Sequence, residues 1–307
     1  MIHVAGLQKL YSGGRGLRSF DLDVAQGELI GLVGPNGAGK TTLIKILATL
    51  LSPDRGVAQV KGLDVVLEKQ AVRKIVGHMP DVPGVYQDMK VREFLLFFAA
   101  AFHVPSVTRP KVVGDILQWS GLEDRADGDV EHLSLGWKQR LVLAKTLLHS
   151  PALLLLDEPA TGLDPLARLE LRRQLKELHH RGVTILISSH ILSDLEDVCT
   201  RIVFIADGQN MGQTGQAAVS DAPPPPAPVI YEIEFLPSAQ AREIAEGIAG
   251  MQVLAASEGM LRLSVTGGRE QMAKIVSALA AAGVGITRVQ PVSELESQYQ
   301  QLFGGKQ

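Results

Sequence analysis

The feature that most constrains the fold is the nine-residue segment GPNGAGKTT at Gly34–Thr42. It follows a short apolar run, Leu29–Val33, and it precedes leucines and isoleucines at helical spacing, which together predict a strand, a glycine-rich turn and a helix. Glycines let the backbone curl closely enough for its N–H groups to face phosphate oxygens, and a helix N-terminus favours an anion. The segment therefore predicts an α/β fold with a phosphate-binding loop at the carboxyl end of a strand.

The residues of this loop indicate how a nucleoside triphosphate would be held. Lys40 can reach the β- and γ-phosphates, which makes it a candidate catalytic residue, and the Thr41 hydroxyl can ligate Mg²⁺. We therefore expect ATP and Mg²⁺ as cofactors. A glycine-rich turn that matches by chance is the alternative, and the flanking strand and helix argue against it. The nucleotide-binding residues expected in the loop are Gly34, Pro35, Asn36, Gly37, Ala38, Gly39, Lys40, Thr41 and Thr42.

The segment LLLLDE at Leu153–Glu158 predicts the acidic half of the same site. Four consecutive leucines are typical of a strand buried on both faces, which puts the two carboxylates at its carboxyl end, where ligands sit in open α/β sheets. Asp157 is suited to hold Mg²⁺, and Glu158 is suited to act as general base on the attacking water. A solvated strand end is the alternative interpretation, and the preceding phosphate loop favours the catalytic one.

Together these segments resemble the ABC ATPase family over roughly residues 1–220. The segment LSLGWKQRL, at Leu133–Leu141, is similar to the family signature L-S-G-G-Q. The resemblance implies that Ser134 and the Gly136 backbone contact the γ-phosphate bound by a second subunit. Ser134 is also a good N-cap for the helix that follows, and both roles can hold together because a helix N-terminus binds anions.

Three further matches follow from the resemblance. The residues Gly162–Asp164 resemble the family's D-loop, which lies at the subunit interface. His190 resembles the switch histidine that contacts the γ-phosphate, and we assign it as a candidate catalytic residue. Tyr11 resembles the aromatic residue that stacks on adenine, with an ordinary strand aromatic as the alternative.

The sequence also departs from the family pattern. Asp81 stands where the family usually has a glutamine, and it is a candidate ligand of both Mg²⁺ and nucleotide. Its negative charge would, however, lie near a triphosphate. Gln87, six residues further along the chain, is not expected to replace the missing glutamine. Leu135 replaces a glycine of the signature, and Trp137 replaces its glutamine. These variants resemble one branch of exporter ATPases, and a C-terminal segment at Ser293–Phe303 is similar to the tail of many exporter ATPases. Both resemblances favour export over import.

The proline-rich segment DAPPPPAP at Asp221–Pro228 predicts a linker, because consecutive prolines favour an extended, semi-rigid chain. A proline-recognition motif is the alternative. The expected domains are an ABC ATPase domain at 1–220, with a mixed sheet and a helical subdomain, and an accessory domain at 229–307. The latter shows a β-α-β-β-α-β pattern, which predicts a small α+β, ferredoxin-like fold.

Composition limits the possible partners and surroundings. Of 307 residues 46% are hydrophobic, and the net charge is −3, so nucleic acid is not an expected partner. No apolar run approaches the roughly 20 residues of a spanning helix, and no signal peptide is apparent. A single cysteine, Cys199, fits a reducing compartment and is expected to be buried and inert. We therefore expect a cytoplasmic protein, peripheral on the inner face of the plasma membrane.

The leading hypothesis is a transport motor that acts on a separate transmembrane permease, and its substrate is not readable from the sequence. A homodimer is expected because one chain carries all catalytic elements, and a heterodimer with a related ATPase stays open. The alternative is a soluble ABC ATPase of DNA repair, translation or cluster assembly. Against it, the chain has one phosphate loop, and Leu133 lies only 93 positions after Lys40, without sustained heptads. A regulatory role of the C-terminal domain is compatible with transport.

Overall fold

A computed structural model describes residues 1–86, 88–214, 229–236, 241, 244, 251–266 and 268–292. The chain divides into two compact units, Met1–Gln216 and Ala217–Gln307. The predicted linker at Asp221–Pro228 and the predicted tail at Ser293–Phe303 lie outside the described residues, so the domain boundaries stay a prediction.

The larger unit contains a ten-stranded sheet. Its strands are β1 (Ile2–Leu10), β2 (Gly16–Val24), β3 (Leu29–Val33), β4 (Arg55–Val60), β5 (Leu63–Asp64), β6 (Val76–Met79), β7 (Leu153–Leu156), β8 (Thr184–Ser189), β9 (Arg201–Ala206) and β10 (Gln209–Thr214). Their order in the sheet is β5-β4-β1-β2-β10-β9-β3-β8-β7-β6. The group β3, β6, β7, β8 and β9 is parallel, and the group β1, β2, β4 and β5 is antiparallel. The predicted mixed sheet is therefore confirmed.

The parallel strands form the centre of the fold because their side chains are apolar on both faces. Every residue of β3, β7 and β8 is buried. Cys199 lies against this centre, with its Sγ 3.0 Å from where a Cβ on Gly31 would stand, and burial raises the pKa of its thiol. The registers Val33↔Ser189 and Leu156↔Ile187 align the carboxyl ends of β3, β8 and β7 at one edge. The residues that follow these strands are therefore brought together.

The described residues of the larger unit also form six α-helices: α1 (Lys40–Leu47), α2 (Lys69–Ile75), α3 (Val91–Ala101), α4 (Arg109–Ser120), α5 (Leu135–Leu147) and α6 (Pro165–His180). Helices α3, α4 and α5 share a hydrophobic core of their own, which includes Phe94, Leu117 and Leu141. They form the predicted helical subdomain. No described helix in either unit is long and apolar enough to cross a membrane.

In the smaller unit the described residues form a four-stranded antiparallel sheet and a helix. Its elements are β11 (Val229–Phe235), β12 (Met251–Ser257), β13 (Met260–Val265), α7 (Gly268–Ala281) and β14 (Ile286–Val292), and the sheet order is β12-β13-β11-β14. Buried Ile233, Leu263 and Ile275 belong to its core. Of the two predicted helices, the second is α7, and most of the first lies outside the described residues. The α+β pattern agrees with the ferredoxin-like prediction.

Candidate active site

The phosphate loop connects β3 to α1, and two of its glycines are required by close contacts. A Cβ on Gly34 would stand 2.0 Å from the Ile205 carbonyl oxygen. Gly39 has φ of 110°, in the left-handed region that favours glycine, and a Cβ there would stand 2.9 Å from Leu17 Cδ2. Because Gly39 is also the N-cap of α1, the loop turns directly into the N-terminus of that helix. This is the geometry that the sequence predicts for phosphate binding.

Lys40 is the first residue of α1, and its side chain folds back across the loop. It is 5% exposed, and its Nζ donates to the Gly34 carbonyl oxygen at 2.7 Å. The same Nζ lies 3.2 Å from Glu158 Oε1. The positive charge is therefore held at the mouth of the loop, between a backbone acceptor and a carboxylate.

Asp157 and Glu158 follow β7, and Ser188 of β8 fixes both of them. The Ser188 hydroxyl donates to Asp157 Oδ1 at 2.7 Å and accepts from the Glu158 N–H at 2.9 Å. Burial raises the pKa of Asp157, and the charges of Asp81 and Glu158 act in the same direction, while hydrogen bonds from Ser188 and Thr41 oppose them. Asp157 is therefore fixed by a hydrogen bond, and its buried negative charge is unfavourable unless a cation lies beside it.

Glu158 is held by cationic and polar groups. Its Oε2 lies 2.7 Å from His190 Nδ1 and accepts from the Thr161 hydroxyl at 3.3 Å, while Oε1 faces Lys40. Burial alone would raise the pKa of Glu158, but hydrogen bonding to His190 and the charge of Lys40 outweigh it, so this pKa lies below its ordinary value. The carboxylate is therefore ionised at neutral pH and can accept a proton.

The carboxylate of Asp157 fits a bound Mg²⁺. Its Oδ2 is buried and has no hydrogen-bond partner among the described residues. Buried carboxylate oxygens are normally paired, so this one has a lone pair to offer a hard cation. Mg²⁺ in phosphate-transfer sites takes one or two carboxylates together with substrate phosphates, which suits Asp157, the Thr41 hydroxyl and the nearby Asp81.

A cavity of about 250 Å³ lies beside the loop and brings most of the predicted residues together. Tyr11, at the end of β1, is 44% exposed and lines it, as does Asp81 after β6. The other predicted residues that line it are Asn36, Gly37, Ala38, Gly39, Lys40, Thr41, Thr42 and Glu158. Tyr11 therefore lies beside the phosphate loop, and its stacking on adenine stays a prediction.

The signature segment lies elsewhere. Ser134 is exposed and is the N-cap of α5, and its hydroxyl makes no capping hydrogen bond with any described residue. None of the described residues that line the cavity comes from α5. Leu135 packs on the D-loop segment instead, because a Cβ on Gly162 would stand 2.8 Å from Leu135 Cδ2. Ser134 and Gly136 therefore do not meet the phosphate loop of their own chain.

Comparisons with known proteins identify the family of the chain. The family model described as "ABC transporter" matches residues 17–161. A Nod factor export ATP-binding protein I from Burkholderia orbicola is 37% identical over 72% of this chain and 73% of its own length. The chain belongs to the ABC transporter ATP-binding subunits.

Other relatives agree on the family. The Nod factor export ATP-binding protein I of Mesorhizobium japonicum is 35% identical over 72% of this chain, which spans 65% of that relative's length. Among solved structures, cbiO1 from Clostridium perfringens, described as part of the ABC transporter complex cbiONQ, has a TM-score of 0.64 at 27% identity. It covers 70% of this chain and 88% of its own. As an ABC ATP-binding subunit, the chain binds ATP and is an ATPase.

The sequence reasoning missed several residues of this ABC ATPase site. Arg15 and Gly16 line the cavity, and Ser188 and Thr161 contact the acidic pair. Ser188 had a usable signal, since it precedes His190 by two positions at the end of a buried strand. Arg15 had none, because a lone arginine in a turn is normally a solvated side chain.

Proposed function

We propose that this chain is the ATP-hydrolysing motor of an exporter, acting on a separate transmembrane permease. The observation that carries the proposal is a pair of contacts made by Glu158 at the end of the parallel strands. Its Oε1 lies 3.2 Å from Lys40 Nζ, and its Oε2 lies 2.7 Å from His190 Nδ1. A phosphate-binding cation, an ionised carboxylate and an imidazole that touches it are the groups that ATP hydrolysis requires.

In the proposed mechanism, Lys40 first moves from Glu158 to the phosphates of ATP. A triphosphate carries more negative charge than one carboxylate, so its arrival draws the Lys40 ammonium away from Glu158. Glu158 stays hydrogen-bonded to His190 and takes a proton from the attacking water as that water approaches the γ-phosphate. Tyr11 stacks on the adenine ring from its exposed position beside the loop.

Magnesium would be held by Asp157 and the Thr41 hydroxyl, with Asp81 as a further carboxylate. When bound, the ion neutralises the charge that develops on the β- and γ-phosphate oxygens. The buried, unpartnered Oδ2 of Asp157 supports this assignment among the described residues.

A second copy of the chain completes the site. Ser134 and the Gly136 backbone lie at the exposed N-terminus of α5, outside the cavity of their own chain. In a closed dimer they would face the γ-phosphate held by Lys40 of the other subunit, where the helix N-terminus favours the anion. All the other elements are present in one chain, so we expect a homodimer.

The permease partner and the outward direction are supported by the relatives. Two of them are named for export of Nod factor, and cbiO1 is described as part of a transporter complex. In this chain Tyr86 and Phe97, at 55% and 47% exposure, form an aromatic surface on the helical subdomain. An exposed apolar surface of this kind suits a docked membrane subunit. The chain would then be peripheral on the cytoplasmic face of the plasma membrane.

The test is co-purification of the tagged chain from detergent-solubilised native membranes, with mass spectrometry of the recovered proteins. We expect a multi-span membrane protein in stoichiometric amount, and its identity would narrow the substrate. Recovery only from the soluble fraction, with DNA, ribosomes or cytosolic enzymes, would leave the ATPase intact and contradict the transport role.

A further inference from the structure

Two glutamines are buried between α5 and α6 without hydrogen-bond partners. Gln174 of α6 is 1% exposed, and Gln139 of α5 is 4% exposed. Gln139 Oε1 and both amide atoms of Gln174 are enclosed, and they make no hydrogen bond within the described part of the chain. An enclosed amide that lacks a partner destabilises a fold, so two such side chains at one place need an explanation.

Both glutamines lie in the seam where α5 packs on α6. Gln139 follows Gly136 by three positions and precedes Leu143 by four, so these residues share one face of α5. Gln174 follows Leu171 by three positions on α6 in the same way. The two faces line a common cavity, whose walls are otherwise mostly apolar. The seam therefore places two amides opposite one another among leucines.

The size of this cavity selects its occupant. Its volume is about 10 Å³. One enclosed water molecule needs roughly 10–15 Å³ and two to four polar partners, so the space suits one water and nothing larger. Arg140 also lines the cavity, but its guanidinium lies over the Trp137 ring, 4.7 Å from the centroid. The two amides are therefore the groups that a water molecule would join.

We propose that Gln139 and Gln174 bind one internal water between them and so fix the register of α5 on α6. The water would donate to Gln139 Oε1 and accept from Gln174 Nε2, which gives two of the enclosed atoms a partner. A polar pair inside an apolar helix seam selects one register at a cost in stability, because sliding the helices separates the polar groups. The two glutamines are therefore positioning residues.

The register of α5 sets the position of the signature segment. Gly136 lines the cavity too, and a Cβ there would stand 3.5 Å from Ala167 Cβ and 3.7 Å from Leu163 Cδ2, so the start of α5 contacts α6 and the D-loop segment. Ser134 caps the same helix. If α5 slipped along α6, Ser134 and Gly136 would move away from the γ-phosphate of the other subunit. This step rests on the proposed function, in which a second copy of the chain holds that phosphate.

The test is a double-mutant cycle in the full chain. Methionine is unbranched like glutamine, so Gln139→Met and Gln174→Met remove the polar atoms with little change of shape. Gln118→Met, at an exposed glutamine of α4, is the matched control. The readouts are the Tm, the Kd for ATP without Mg²⁺, and the turnover rate with Mg²⁺.

We expect each single variant to lower the Tm by about 2–4 °C, because the remaining amide loses the water that it shared. The double variant should return to within about 1 °C of the wild type, since no buried amide is left without a partner. Its Kd for ATP should be unchanged, because neither glutamine lines the cavity beside the phosphate loop. Its turnover should nevertheless fall about 5-fold or more, because the signature segment is misplaced. Gln118→Met should match the wild type in all three measurements.

Two results would overturn the inference. If each single variant raised the Tm and the increases added in the double variant, the glutamines would share no water. Parental turnover of the double variant would mean that they do not position the signature segment. Ser134→Ala separates these results from a failure of the proposed function. Parental turnover of that variant would contradict the contact across the dimer, while the Tm cycle would still decide whether the glutamines share a water.

Discussion

Glu158 adopts a backbone conformation that few residues other than glycine accept, with φ of 48°. Three contacts stabilise this conformation: the Glu158 N–H donates to the Ser188 hydroxyl, and its carboxylate contacts His190 and Lys40. A strained residue that its neighbours fix so fully is typical of a functional position. The conformation aims the carboxylate across the mouth of the loop instead of along the strand.

Replacing Glu158 by glutamine tests its role as base. The amide keeps the shape and cannot accept the proton, so Glu158→Gln should bind ATP, lose turnover by about 10²–10⁴-fold and accumulate as a closed dimer. Phosphate release and size-exclusion chromatography with ATP measure both effects. Glu177→Gln, on the surface of α6, is the matched control. Turnover near the parental rate would remove Glu158 from this role.

The charge of Asp157 is expected to support Mg²⁺ binding and to lower the stability of the fold. Its folded pKa is raised, so its charge destabilises the fold at neutral pH, and this cost disappears as pH falls and the carboxylate takes up a proton. Asp157→Asn should therefore raise the Tm at pH 7 by about 2–4 °C and abolish Mg²⁺-dependent turnover. At a pH below the ordinary range of aspartate the two Tm values should converge. A lower Tm for the variant at pH 7 would contradict this account.

The residues of the site differ in how well the sequence predicts them. Lys40, Asp157 and Glu158 follow from local patterns, since a loop or a strand end fixes their positions. Ser188 does not, because its contact with Asp157 depends on the register Leu156↔Ile187 between two strands that are distant along the chain. Such a register is a property of the whole sheet.

Helix α5 contains two residues that depart from the family pattern, Leu135 and Trp137, and both make new contacts. Trp137, which replaces the signature glutamine, lies in its first turn and contacts two guanidinium groups, those of Arg125 at 4.4 Å and Arg140 at 4.7 Å from the ring centroid. Arg125 belongs to a short turn, Glu123–Arg125, that lies between α4 and α5, so its contact with Trp137 connects that turn to the start of α5. Leu135 adds a second contact, to Gly162.

Restoring the family residue at this position should therefore weaken the element. Trp137→Gln removes both cation–π contacts and part of the subdomain core, and we expect a loss of about 1–3 kcal/mol in the free energy of unfolding. Urea unfolding measures it, and Trp137→Phe, which keeps a ring, should lose less. An unchanged midpoint for the glutamine variant would show that the arginines do not stabilise the helix through Trp137.

At the element scale the local patterns predict the strands that lead into the site. The predicted strand Leu29–Val33 is β3, and the leucine run is β7, which is buried on both faces. The pairing of the antiparallel strands cannot be predicted from local patterns in this way. Pairs such as β1 with β4 join segments about fifty residues apart, and no local periodicity specifies them.

At the scale of the molecule, each unit has a hydrophobic core of its own. Among the described residues, the core of the smaller unit consists of residues from β11 onward, and the clusters of the larger unit end at β9. Two separate cores indicate that each unit can fold without the other. The regulatory role of the smaller unit can therefore be tested by removing it.

A chain that ends at Ala218 should fold and bind ATP within about twofold of the full chain, because every residue assigned to the nucleotide lies before residue 191. If the smaller unit regulates the motor, the truncated chain should differ severalfold in ATPase rate or in dimerisation with the permease present, and a ligand that alters the full-length rate should have no effect on it. Steady-state ATPase assays of both chains with the reconstituted permease measure this. Unchanged transport and an unchanged ATPase response would eliminate the regulatory role, and the two cores would then be independent in function as well as in folding.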